Sequence, residues 1–127
     1  MTRILVIGFD PESVDFSDPG SPPGLDPAKI WEGVRRSLER IAEHGWEGTQ
    51  CMVKPDETAV ATVEQALANM SYACVVIGGG VRLAHNSVPI LEAIVDAVRR
   101  LAPATPIAFN EGPEKSLEAA QRWVRGA

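Results

Sequence analysis

The chain predicts an α/β fold: a three-layer sandwich on a short four-stranded parallel sheet, in the order 2-1-3-4. Short apolar, β-branched runs alternate strictly with segments whose apolar residues recur on one helical face, which implies parallel strands joined by right-handed crossovers. The first and third runs are apolar on both faces, as strands in the middle of a parallel sheet are. A length of 127 residues suits one domain spanning 1–127, with no internal repeat and no dividing linker.

The elements follow in order. Arg3 to Phe9 reads as the first strand, and a Pro-rich acidic loop runs from 10 to 25. Asp26 can N-cap the first helix, Pro27 suits its first position, and Gly45 is a natural stop after His44. Ile30, Val34, Leu38 and Ile41 form its apolar stripe. Trp46 to Val53 is a second strand, whose Glu47, Thr49 and Gln50 point to a sheet edge. A helix follows over Glu57 to Met70, with Val60, Val63, Leu67 and Met70 inward. Tyr72 to Ile77 is the third strand, ending in Gly78-Gly79-Gly80. Asn86 or Ser87 can cap the next helix, whose apolar face runs from Ile90 to Leu101. Thr105 to Phe109 is the fourth strand, and Pro113 opens a last helix with Leu117, Ala120 and Val124 inward.

Composition narrows the function classes. Apolar residues are 45% and charged residues 23%, ordinary for a soluble globular chain and unlike a disordered or collagenous one. The net charge of -5 argues against a nucleic-acid surface. Asp10, Glu12, Asp15, Asp18 and Asp26 carry that charge without an intervening Lys or Arg, and the remaining acids and bases balance. No run is long enough for a secretory core or a membrane span, so the expected location is the cytoplasm, with no membrane partner. Cys51 and Cys74 lie in separate strands without CxxC spacing, and buried structural thiols are expected.

In an open parallel sheet, ligands bind beyond the carboxyl ends of the strands where the strand order reverses. Here that point falls between the first and third strands. Three loops meet there and supply the candidate site. Gly78, Gly79 and Gly80 allow positive φ and close backbone approach, and Arg82 adds a forked cation for carboxylate or phosphate. Asn86 stands where the next helix offers its N–H groups. His85 has the pKa range for proton transfer, and Asp10 could orient it or act as a base. Asn110 and Glu111 follow the fourth strand; the carboxamide either reads a ligand edge or closes a turn. The binding set is thus Gly78, Gly79, Gly80, Arg82, Asn86, Asn110 and Glu111, and the catalytic pair is His85 and Asp10, with no metal ligand assigned. No GxxxxGK[ST] loop, early GxGxxG or GxSxG elbow is present.

This order of elements resembles the flavodoxin-like and Rossmann-like topologies, including receiver domains. The resemblance is one of topology: Gly78 stands where a receiver has its acceptor Asp, and Asp10-Pro11-Glu12 where a flavodoxin has a Ser/Thr-rich phosphate loop. The opening Ile4-Leu5-Val6-Ile7-Gly8-Phe9 is similar to the start of pyroglutamyl peptidases over that strand, but their Cys-containing signature is missing and no residue is carried over.

Two functions are therefore expected to compete. One is a small enzyme acting on an anionic molecule by cofactor-independent acid/base chemistry, hydrolase or lyase/isomerase in type. The other is a non-catalytic ligand-sensing or protein-interaction module. The open sheet edges predict a homodimer.

Overall fold

A computed structural model describes residues 1–13, 26–83 and 87–124, with the backbone alone at 82–83. Its strands are β1 (Arg3–Phe9), β2 (Glu47–Val53), β3 (Cys74–Ile77) and β4 (Ile107–Phe109). All pair in parallel in the order β2-β1-β3-β4, so the predicted fold class and strand order hold. In register, Ile7 faces Cys51 on one side and Ile77 on the other, and Ile77 faces Phe109.

The helices are α1 (Pro27–Glu43), α2 (Thr58–Ala68), α3 (Gly79–Leu83), α4 (Val88–Leu101) and α5 (Ser116–Gln121), and a 3-10 turn covers Pro11–Ser13. The alternating side chains of β1 and β3 make two cores, one on each face of the sheet. Leu5, Ile7, Val75 and Ile77 pack with Val63 of α2, Val81 of α3 and Ile94 and Val98 of α4. Ile4, Val6, Cys74 and Val76 pack with Ile41 of α1 and Leu117 and Ala120 of α5. The central strands are buried on both sides, which is why they read as unbroken apolar runs. No helix among the described residues is long and apolar enough to cross a membrane.

Local signals explain the ends of α1. The Asp26 carboxylate accepts a hydrogen bond from the Lys29 amide at 2.8 Å, and Pro27 occupies the first turn. Gly45 takes φ +91 just beyond the last turn, where a Cβ would be strained. The buried seam of α1, however, is Gly33, Ser37 and Ile41, with Ile30, Val34 and Leu38 half-buried beside it. Small residues occupy the seam because the turn before α5 presses on it: a Cβ on Gly33 would lie 2.5 Å from Pro113 Cβ. Pro113 therefore braces α1 and does not open α5, which begins at Ser116.

Other ends also differ from expectation. α2 stops at Ala68, leaving Met70 42% exposed, and Leu101 at the end of α4 is 46% exposed. Ser87 is buried at the N-cap of α4, yet its side chain makes no capping bond; its αR backbone, φ -88 and ψ -7, departs from the extended geometry of a side-chain cap. At the β4 edge, Arg122 Nη2 donates to the Phe109 carbonyl at 2.7 Å and occupies one outward acceptor.

Candidate functional site

The carboxyl ends of β1, β3 and β4 form one rim. One residue beyond the Ile7, Ile77, Phe109 row, Gly8, Gly78 and Asn110 stand side by side. A Cβ on Gly78 would lie 3.2 Å from the Ile7 carbonyl oxygen and 3.7 Å from Gly8 Cα, so two strands meet there as bare backbone. The Gly78 amide donates to the Ile7 carbonyl at 2.8 Å and extends the ladder past the strand. By alternation from Val6, Val76 and Ala108, this row belongs to the α1 and α5 face.

The glycine triplet differs from the expected left-handed cradle. Gly79 and Gly80 begin the helix α3, and among the described glycines positive φ occurs at Gly45. Gly78 is needed for close approach to β1, whereas a Cβ on Gly80 would meet nothing within 4 Å. The Gly79 amide is not left open to a ligand: it donates to Asn110 Oδ1 at 3.0 Å.

Asp10 lies at the end of β1, as predicted, and its amide donates to the Val53 carbonyl at 2.8 Å. Its Oδ1 accepts from the Glu12 amide at 3.0 Å, and the Ser13 hydroxyl approaches Oδ2 at 3.5 Å. These bonds close the turn Pro11–Ser13, an Asx-type use of the side chain. Trp31 Nε1 of α1 donates to Glu12 Oε1 at 3.3 Å and ties the helix to that turn. His85, Asn86 and the side chain of Arg82 lie outside the described residues, as do Asp15 and Asp18.

Asn110 is buried, 3% exposed, and Glu111 next to it is exposed. Glu111 lies on the wall of a groove of about 730 Å³ between the first turns of α1 and the turn before α5. Lys29, Glu32, Gly33 and Lys115 share that wall; Asp10, Gly78 and Asn110 do not. The structure thus brings Gly78, Gly79 and Asn110 together, puts Asp10 at the end of β1 on the β2 side, and sets Glu111 apart.

Two residues of this region were not singled out from the sequence. Gly8 had a local signal, since a glycine inside a strand run marks close backbone approach. Ser116, buried at 1% and accepting from Asn110 Nδ2 at 3.1 Å, had none. Cys51 and Cys74 are buried free thiols, and burial pushes each up to about 11. His44 ends α1 exposed, with its ring edge-on to Trp46 at 4.4 Å.

Compared with known proteins, the chain matches no family model and no curated protein sequence significantly.

Proposed function

We propose that this chain binds a small anionic molecule at the carboxyl edge of the sheet and acts on it by acid/base chemistry without a cofactor, as a hydrolase or a lyase/isomerase does. The observation that supports this reading is the strand order β2-β1-β3-β4, which reverses between β1 and β3 and so puts Gly8 and Gly78 at the edge where open parallel sheets take their ligands. Arg82 is the cation for the anion, and His85 with Asp10 moves the proton. The Asp10 carboxylate is held by Glu12 and Ser13 and retains lone pairs for an imidazole. The compartment proposed for this chain is the cytoplasm.

A thermal-shift screen of small carboxylates and phosphates tests binding. At least one should raise the melting temperature of the wild type, and the rise should vanish in Arg82→Ala. A panel with no hit removes the reading. For any ligand that is turned over, His85→Ala should abolish turnover and keep binding; undiminished turnover removes the catalytic part.

A second reading, a non-catalytic sensing or interaction module, is favoured by the structural tasks of Asp10 and Asn110. It predicts binding with unchanged ligand. In either reading the β2 and β4 edges are the surfaces for a homodimer, which requires a particle of twice the 13.6 kDa chain mass in sedimentation; a monomer removes that part.

A further inference from the structure

Asn110 ties α3 and α5 together through one buried side chain and is held to β3 by its backbone. Its Oδ1 accepts from the amide of Gly79, the first residue of α3, at 3.0 Å. Its Nδ2 donates to the Ser116 hydroxyl at the start of α5 at 3.1 Å, and its own amide donates to the Ile77 carbonyl at 3.2 Å. Both side chains of the Asn110–Ser116 pair are almost fully buried, at 3% and 1% exposure. The Gly79 bond spans 31 residues of sequence, so it belongs to the tertiary fold and not to a local turn.

α3 has five residues and begins with two glycines. Such a helix is shorter than those that hold themselves in water, and glycine lowers its propensity further. Its anchors are therefore tertiary: the Val81 side chain, fully buried in the core with α4, and the Asn110 carboxamide at its first residue. Because a carboxamide has an acceptor at one end and donors at the other, it can receive the Gly79 N–H and reach the Ser116 oxygen at once. A carbonyl or hydroxyl alone could not do both across this span.

We infer that Asn110 is a positioning residue, which sets the start of α3 against β4 and α5 from beneath the rim. This rests on the proposed rim site for its functional consequence, but its structural part stands apart from it. The buried amide of Asn110 shapes the binding edge without being the group that meets the ligand.

The test measures backbone hydrogen exchange by NMR at Gly79–Leu83, with Ile7 of β1 as a reference for global opening, alongside titration with inorganic phosphate. Asn110→Ala should speed exchange at Gly79 relative to Ile7 by roughly tenfold, the scale of one lost buried hydrogen bond. Asn110→Asp keeps an acceptor for Gly79, and the Ser116 hydroxyl can turn to donate, so it should restore protection. Ser116→Ala, which leaves the acceptor in place but frees its other end, should fall between them and guards against a poorly folded Asn110→Ala. Equal acceleration at Gly79 and Ile7, or no change at Gly79, overturns the inference. If wild type binds phosphate, Asn110→Ala should weaken binding and Asn110→Asp should recover part of it. If wild type does not bind phosphate while local exchange responds as stated, the positioning of α3 stands and its link to an anion site falls.

Discussion

Replacing Gly33 by alanine should destabilise the protein, against the usual effect in a helix. A Gly→Ala change inside a helix ordinarily gains about 1 kcal/mol. At Gly33 the new Cβ would sit 2.5 Å from Pro113 Cβ and 3.7 Å from the Pro113 carbonyl carbon. The proline ring is rigid and its turn is tied down: Lys115 N donates to the Gly112 carbonyl at 3.0 Å, and Arg40 Nη1 to the Glu114 carbonyl at 2.7 Å. Relief therefore requires the turn to move away from α1 as a unit. Overpacking of this kind costs about 1–3 kcal/mol, so the net change is a loss of about 1 kcal/mol. For a chain of this length that lowers the melting temperature by about 4 °C. Thermal and urea unfolding followed by circular dichroism measure it. Gly80→Ala is the control, since its Cβ meets nothing within 4 Å and its residue is helical; it should gain about 0.5–1 kcal/mol. A Gly33→Ala protein that melts higher than wild type would refute the close approach of α1 and Pro113.

The remaining predictions concern ionisable groups. The Arg40 guanidinium hydrogen-bonds the Glu118 carboxylate and holds it below its ordinary value. A depressed carboxylate contributes stability above its unfolded pKa of about 4.3, and loses it as the pH falls through the folded value. Glu118→Gln should thus cost about 0.5–1 kcal/mol near neutrality, and its stability curve should converge on the wild type in acid, once the carboxyl is protonated in the folded protein too. Urea titrations at a series of pH values check this; a gap that stays constant as the pH is lowered through the acid range would contradict it. Burial raises both thiols to about 11, so neither forms much thiolate at pH 8. Cys51 and Cys74 should resist iodoacetamide in the native protein and react promptly in denaturant, as mass spectrometry reads; rapid native alkylation of either would show it to be accessible.

The fold was legible where local chemistry and tertiary structure agree. The runs Leu5-Val6-Ile7 and Val75-Val76-Ile77 are apolar on both faces because both faces are covered, so strand order follows from them. Asp26-Pro27 and Gly45 mark the ends of α1 through bonds and dihedrals within a few residues. What was not legible depends on distant partners. Gly79-Gly80 reads as a left-handed turn by composition, yet it is helical, anchored by a carboxamide 31 residues away. The seam of α1 runs through Gly33 and Ser37 because Pro113 presses there, and no periodicity in α1 announces that. The rim itself was legible from topology: Gly78 and Asn110 stand side by side on it, and Asp10 follows β1 with its amide bonded to Val53 of β2. The division of labour among them was not, since whether a carboxamide meets a ligand or a buried amide depends on its surroundings and not on its type.

The most direct test of an anion site between β1 and β3 is a backbone-resolved NMR titration of the wild-type chain. Inorganic phosphate and the strongest hits of the thermal-shift panel are the titrants. Saturable shifts concentrated at Gly8, Asp10 and Gly78–Val81 are predicted, with the α1–Pro113 groove little affected. Saturable shifts centred on Lys29, Gly33 and Lys115 instead, or none at the rim with any titrant, would contradict it.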